Sequence, residues 1–232
     1  MCGRYSLATP AEQVAEHFGL TEVPALSPRY NIAPAQPVAI VRQPNQGEAP
    51  ILELRRWGLI PPWAKDPGIG SRTVNARVET AAEKPAFRAA FRRRRCLVPA
   101  DGFYEWKPHP KRRRPHHVRL TSGELFGLAG LFESWESPEG EIIETCTLLT
   151  TVAHPALSAL HDRMPILVDP PCYRSWLDPE LQDPDSILAL IRSSISDRLV
   201  FHPVDLRVND PRNDDPACIE PVEPDDLPLG DF

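Results

Sequence analysis

The chain has 232 residues, 41% of them apolar and 25% charged, enough to bury a core in one large domain or two small ones. Its longest apolar stretches, such as Ile142–Val152, are short and interrupted, which excludes a membrane-spanning helix, and its first residues lack the pattern of a secretory signal. The net charge of −6 hides an asymmetry: residues 1–120 carry 20 Lys+Arg against 10 Asp+Glu, and residues 121–232 carry 6 against 22. A basic half suits a polyanionic partner, with the acidic half turned away from it.

In chain order, residues 10–18 read as a short helix, with Thr9 as its cap, Pro10 in the first position, Glu12 completing a capping box and Gly19 ending it. Branched and aliphatic runs at 38–42 and 51–58 read as strands. Residues 81–95 read as one helix, with Phe87 and Phe91 on one face and arginines on the other. Strands follow at 96–99, 103–107, 117–121, 125–132 and 145–152, and Thr121-Ser-Gly-Glu124 looks like a hairpin turn between two of them. Residues 156–160 and 173–177 read as helical turns, 184–194 as a helix with Asp183 as cap, and 199–203 as a late strand. From Asn209 onward Pro and Asp dominate. Residues 1–208 are therefore expected to form the folded domain, and 209–232 an acidic, Pro-rich tail that is disordered or draped on the surface. Many antiparallel-type strands, few segregated helices and 28 prolines indicate an α+β fold. It is a single domain on a largely antiparallel, barrel-like sheet with a few flanking helices.

Five cysteines at 2, 96, 146, 172 and 218 are odd in number and widely spaced. They fit neither a disulfide framework nor a paired-cysteine zinc site, so a reducing, cytoplasmic setting is expected, with no metal and no cofactor. Cys2 stands apart because of its position. A small second residue permits removal of Met1, which leaves Cys2 with a free α-amine beside its thiol. Reference pKa values of about 8 and about 8.5 give both groups a nucleophilic fraction near neutrality. Such a 1,2-aminothiol condenses with an aldehyde: the amine forms an imine, and the thiol then closes a five-membered thiazolidine.

Three further stretches carry polar groups of the right kind. In residues 73–80, Asn75, Arg77 and Glu79 alternate, so an extended backbone sets an amide, a guanidinium and a carboxylate on one face. A polar edge strand has the same pattern. In residues 99–106, Glu105 stands between Tyr104 and Trp106 in an otherwise apolar run. Burial there would raise its pKa and suit it to moving protons, unless it is paired with an arginine such as Arg77. His161, in His161-Asp-Arg-Met-Pro165, supplies an imidazole that titrates near neutrality. Trp57 and Trp63 fit either base stacking or the core. The basic runs at 92–95 and 111–114 read as a solvated helix face and as a loop whose contact with phosphate would be unspecific.

Seven blocks in order resemble the SOS-response-associated peptidase (SRAP) family: Met-Cys-Gly-Arg at 1–4, Tyr30-Asn-Ile-Ala-Pro34, Arg56-Trp-Gly-Leu59 with Pro61-Pro-Trp63, Asn75-Ala-Arg-Val-Glu-Thr80, Cys96-Leu-Val-Pro-Ala-Asp-Gly-Phe-Tyr-Glu-Trp106, Thr150-Thr151 and His161-Asp-Arg-Met-Pro165. The resemblance implies a protein that binds single-stranded DNA carrying an abasic site. It would join Cys2 to the ring-opened deoxyribose aldehyde as a reversible thiazolidine crosslink that shields the lesion. The resemblance makes Cys2 the nucleophile and has Asn75 position or polarise at the N-terminus. Glu105 and His161 would manage protons for ring opening, imine formation and reversal. Arg4, Arg77, Arg163 and Trp106, with Asn31 and Thr150, are implied to hold backbone phosphates and neighbouring bases. A monomer in the bacterial cytoplasm, at the nucleoid, is the expected setting. The family's name keeps an alternative open: a cysteine peptidase using Cys2 with His161 and Glu105, confined to self-processing or acting on other peptides.

Overall fold

Short extended runs dominate the chain, and they divide between a closed barrel and a smaller sheet packed beside it. The structure, a computed structural model, describes residues 2–110, 113–192 and 198–223. The first elements are β1 (Tyr5–Leu7), α1 (Ala11–Phe18), β2 (Arg29–Ile32), β3 (Pro37–Arg42), β4 (Ile51–Trp57) and β5 (Asn75–Arg77). Then come α2 (Val78–Ala81), α3 (Arg88–Arg93), β6 (Arg95–Ala100), β7 (Gly102–Lys107), β8 (Arg114–Leu120), β9 (Phe126–Glu136) and β10 (Ile142–Val152). The last are β11 (Arg163–Pro165), β12 (Leu167–Val168), α4 (Tyr173–Leu177), α5 (Pro184–Arg192) and β13 (Leu199–Pro203).

The ring β10-β4-β3-β6-β9 closes because β9 also pairs with β10. The β10–β4 contact is parallel and the other four are antiparallel, so the expected α+β barrel with few helices is what forms. Closure removes the exposed sheet edges that would otherwise invite aggregation. All six residues of β6 are buried, because one face fills the barrel and the other is covered by α4, whose Trp176 indole donates to the Cys96 carbonyl. Burying a large side chain such as Leu97 or Phe126 contributes about 1.5–3 kcal/mol. The second sheet runs β13-β8-β7-β1-β2, and it brings the start of the chain beside β7.

Several local expectations change. The single helix over 81–95 is two short helices and the start of a strand, because Pro85 disfavours helical geometry at the residue before it. Arg95 begins β6, and its buried guanidinium donates to the carbonyls of Phe91, Arg92, Trp176 and Asp178, tying off the ends of α3 and α4. Helix α1 starts at Ala11 with Pro10 as its cap and no side-chain cap bond. Thr9 is engaged elsewhere: its N–H and hydroxyl, with the Ala8 N–H, bond the Asp101 carboxylate. Gly19 does end the helix, at φ +64. Asp183 accepts from the Ser186 N–H and so caps α5 as expected; residues 193 and 194 lie outside the described residues. The turn at 121–124 joins no hairpin. It carries the chain from β8 in the small sheet to β9 in the barrel, while β8 pairs with β7 and β13. At Gly102, where β7 begins, a Cβ would fall 2.0 Å from His117 Nε2, so that position fits only hydrogen.

Residues 209–223 do not hang free of the domain. The Asn31 amide donates to the carbonyls of Val208, Asp210 and Asn213, and Asp214 accepts from the Arg29 side chain and from the Tyr30 and Asn31 N–H groups. Cys218 is buried with Tyr104, Val204 and Val208 in a second small core. An acidic composition did not leave this segment loose, because its carboxylates and carbonyls supply the acceptors that β2 needs. Residues 224–232 lie outside the described residues.

Candidate functional site

The start of the chain is positioned by strand pairing. Tyr5 lies opposite Phe103, Ser6 lies opposite Gly102, and the Tyr104 N–H donates to the Arg4 carbonyl at 2.9 Å. Continuing that antiparallel register one step sets Gly3 across from Glu105, where the missing side chain leaves the carboxyl room beside the N-terminal segment. From the other side the Asn75 amide donates to the Cys2 carbonyl at 2.7 Å. Asn75 is delivered by β5, which lies parallel along β10 with Asn75 opposite Leu148. Trp57 braces this arrangement from beneath, its indole donating to the Val74 carbonyl and its ring meeting Tyr5 edge-on.

The electrostatics tie the same groups together. Glu105 is only 3% exposed, and burial pushes its carboxyl up to about 7. Asp162 adds to the rise, and Arg113 opposes it. Burial, and then the neighbouring Glu105 charge, raise the Cys2 thiol to about 12, although its Sγ donates to the Arg4 carbonyl at 3.7 Å. His161 is held below its ordinary range, chiefly by burial. Its Nδ1 has two competing contacts, the Arg163 N–H at 2.9 Å and the Asp162 carboxylate at 2.7 Å. The lowered pKa favours the neutral ring, whose Nδ1 can accept from the Arg163 N–H. Cys2 and Glu105 thus act on each other, Glu105 and His161 share Asp162 and Arg113 as charged neighbours, and Asn75 grips the Cys2 carbonyl.

The eight residues expected to touch nucleic acid divide sharply. Trp57 is 1% exposed and belongs to the core, so it is no base-stacking surface. Asn31 is fully buried and spent on the carbonyls of residues 208–213 and on the Arg4 guanidinium. Thr150 is fully buried on β10, and its carbonyl accepts from Arg163 at 2.6 Å. Arg163 itself is buried and forked onto Glu79 at 2.7 and 2.9 Å, so its charge is consumed inside the protein. Glu79 does not share a strand face with Asn75 and Arg77, because β5 ends at Arg77 and Glu79 sits in the first turn of α2. Arg163 is what holds it there, keeping its carboxyl below the usual range.

Four of the eight retain usable surface. Arg77 is exposed at the end of β5. Arg4 and Trp106 are half-buried, with the Arg4 guanidinium 6.0 Å from the centre of the Trp106 ring. Trp63 is 57% exposed, at a shallow cleft of about 340 Å3 that it shares with Lys65 and Arg72. Among the described residues, no hydrogen bond or ring contact links Trp63 to the Cys2 cluster. Arg113 belongs to the basic run at 111–114, which the sequence marks only as an unspecific phosphate contact and not as a neighbour of the candidate site. It is exposed at the β7–β8 hairpin, close enough to act on both Glu105 and His161. Pairing the strand that holds Glu105 with the following one is what brings that loop to the candidate site. Among the described residues no group of three or more His, Cys, Asp or Glu side chains is gathered for a metal ion, and no helix is long and apolar enough to cross a membrane.

Comparison with known proteins places these features in company. Residues 1–211 match the family described as SOS response associated peptidase (SRAP). The chain is 41% identical over 224 residues to the abasic site processing protein YoqW of Bacillus subtilis (strain 168), covering 95% of this chain and 99% of that one. It is 31% identical to the abasic site processing protein HMCES of Xenopus tropicalis, covering 84% of this chain and 66% of the relative. Among solved structures, a Bacteroides thetaiotaomicron protein superposes with a TM-score of 0.84 at 23% identity, over 96% of this chain and all of the other, which speaks for the fold. A Bordetella bronchiseptica protein superposes at 0.73 with 28% identity, over 88% of this chain and all of the other.

Proposed function

We propose, on the premise that this chain belongs to the SOS response associated peptidase (SRAP) family, that it processes abasic sites in single-stranded DNA by forming a covalent, reversible crosslink through Cys2. Relatives named as abasic site processing proteins support the lesion. The observation that carries the chemistry is the buried Cys2, its carbonyl held by Asn75 and its thiol raised by burial and by the nearby Glu105 carboxyl.

With Met1 gone, the Cys2 amine adds to the C1′ aldehyde of the ring-opened sugar, and the carbinolamine loses water to give an imine. The thiol then adds to the imine carbon, its proton leaves sulfur, and the ring nitrogen gains one, so aldehyde plus aminothiol yields thiazolidine plus one water. A thiol held at about 12 is not a standing thiolate, so the amine acts first. Glu105, poised at about 7, takes the thiol proton at ring closure and returns it on reversal. The neutral His161 ring offers its Nε2–H to the departing hydroxyl, and Asn75 fixes the Cys2 carbonyl so that amine and thiol stay on one side of the aldehyde. Arg4, Arg77, Trp63 and Trp106 bind the strand. The protein acts as a monomer in the cytoplasm, at the nucleoid.

The competing reading is a cysteine peptidase using Cys2, His161 and Glu105. It needs a thiolate stabilised by a nearby cation, whereas here burial and a carboxylate both oppose one. The deciding experiment incubates the protein with an oligonucleotide carrying one abasic site and seeks a denaturation-resistant adduct by gel and mass spectrometry. An adduct of mass equal to protein plus DNA less one water is expected, and it should vanish in Cys2→Ala and in a variant that retains Met1. An adduct undiminished in either variant sinks the aminothiol mechanism.

A further inference from the structure

Two consecutive residues of the 206–214 segment hold both members of the Arg4–Trp106 pair. The Val208 carbonyl accepts from Arg4 Nη1 at 2.7 Å, and the Asn209 Oδ1 accepts from the Trp106 indole N–H at 2.7 Å. Arg4 and Trp106 lie two residues from Cys2 and one residue from Glu105, so whatever fixes them fixes the approach to the reacting groups. We propose that Asn209 is a positioning residue: by holding the Trp106 indole against the 206–214 strap it sets, with Arg4, the platform on which the DNA strand lies next to Cys2. This rests on the DNA reading above and deepens it.

The physical case begins with the side chain that is held. An indole has one polar atom, and once its N–H is engaged the ring can no longer turn about its own axis. Trp106 alternates with Glu105 along β7, so it faces the second small core on the side opposite the carboxyl, packing against Tyr104, Val204, Val208 and Cys218. It is half-buried there, one part against the strap and the rest open to a partner. Arg4 lies at the outer limit of a cation–π contact with it. A guanidinium beside an aromatic face meets both features of a nucleic-acid strand, phosphate and base.

The strap is anchored well enough to act as a template. Asn31 bonds three of its carbonyls, Asp214 bonds the backbone of β2, and the Asn213 amide donates to the Arg207 carbonyl. The 206–209 turn is itself closed by Asp205, whose carboxylate accepts from the Arg207 N–H. Removing the Asn209 amide leaves these bonds in place and frees only the indole. Asn209 is thus separable from the fold in a way that Asn31 and Asp214 are not.

The test is a double-mutant cycle on affinity for single-stranded oligonucleotides, with and without an abasic site, together with the crosslinking rate at saturating DNA. Asn209→Ala should weaken binding of both oligonucleotides roughly fivefold to tenfold, the scale of one disturbed base stack, and leave the saturated crosslinking rate within about twofold. In a Trp106→Phe background, which has no indole N–H to hold, the same substitution should change affinity less than about twofold. Wild-type affinity in Asn209→Ala, or an equal loss in both backgrounds, overturns the proposal and leaves the strap purely structural. A second measurement needs no folded alanine variant. In wild-type protein with 15N-labelled tryptophan, the Trp106 Nε1–H resonance, identified by its absence in Trp106→Phe, should stay protected from exchange when DNA binds. Loss of that protection on binding overturns the proposal equally. Wild-type protein that binds DNA but forms no adduct sinks the abasic-site reading alone and leaves this one to be judged on affinity.

Discussion

At the scale of single residues, burial assigns the roles, and it does so between side chains of the same type. Trp57 and Trp63 are six residues apart, yet one is a brace under Asn75 and the other a solvent-facing ring. Arg77 and Arg163 divide in the same way, because Glu79 claims one guanidinium and leaves the other exposed. Glu105 is the residue whose burial has the largest consequence. Its carboxyl is raised from 4.5 to about 7, so the folded protein binds that proton more tightly than the unfolded chain does. The stability this lends is complete below pH 4.5 and is lost as the pH rises through 7. Glu105→Gln, neutral at every pH, should therefore match wild type in urea melts at pH 4 and exceed it by about 3 kcal/mol at pH 8. The same substitution should slow crosslinking and erase the inflection near pH 7 in its rate profile. A stability difference that is the same at both pH values would show that the carboxylate is not held in an apolar setting.

At the scale of elements, the candidate site is assembled by very short strands. β1, β5 and β11 have three residues each, and they deliver the N-terminus, Asn75 and the backbone beside His161. Three residues carry no readable period, so β1 and β11 were not legible in the sequence and β5 showed only as part of the alternating run at 73–80, whereas 38–42, 103–107 and 199–203 announced themselves by their branched and aromatic content. The site residues Cys2, Asn75, Glu105 and His161 were legible from chemistry and from the motifs that flank them. What was not legible was which elements hold them, because that depends on long-range pairing such as Gly102 against Ser6. The 209–223 segment is the clearest case: its composition reads as disordered, but Asp214 accepts from the Tyr30 and Asn31 backbone N–H groups of β2. Asp214→Ala leaves both orphaned, at a cost of about 1–3 kcal/mol. Melting should fall by roughly 4–8 °C, with crosslinking lost at lower temperature than in wild type. An unchanged melting temperature would return the segment to the role of a surface drape.

At the scale of the molecule, the charge asymmetry along the chain does not become two opposite hemispheres, because β9 and β10 from the acidic half close the barrel with β3, β4 and β6 from the basic half. The asymmetry survives along β10 instead. Its first residues, Ile142 and beyond, leave an acidic hairpin tip with Glu136, Glu139, Glu141 and Glu144, and its last residues run beside Asn75 and Arg77. Eight residues of strand separate Ile142 from Thr150, roughly 25 Å at the rise of a β-strand. That span is several Debye lengths at physiological salt, where screening acts over about 8 Å, but lies within one at about 0.01 M, where it reaches about 30 Å. Glu139→Gln with Glu141→Gln should thus leave DNA affinity unchanged near 0.15 M salt and tighten it at about 0.01 M. Arg77→Ala should behave oppositely. On the proposed DNA reading it removes a local phosphate contact, so affinity should fall at every salt concentration, and the slope of log affinity against log salt should become shallower by roughly 0.7. A slope unaltered in Arg77→Ala, paired with a tip substitution that matters at 0.15 M, would mean that the strand runs along the acidic end of the barrel instead of past Cys2.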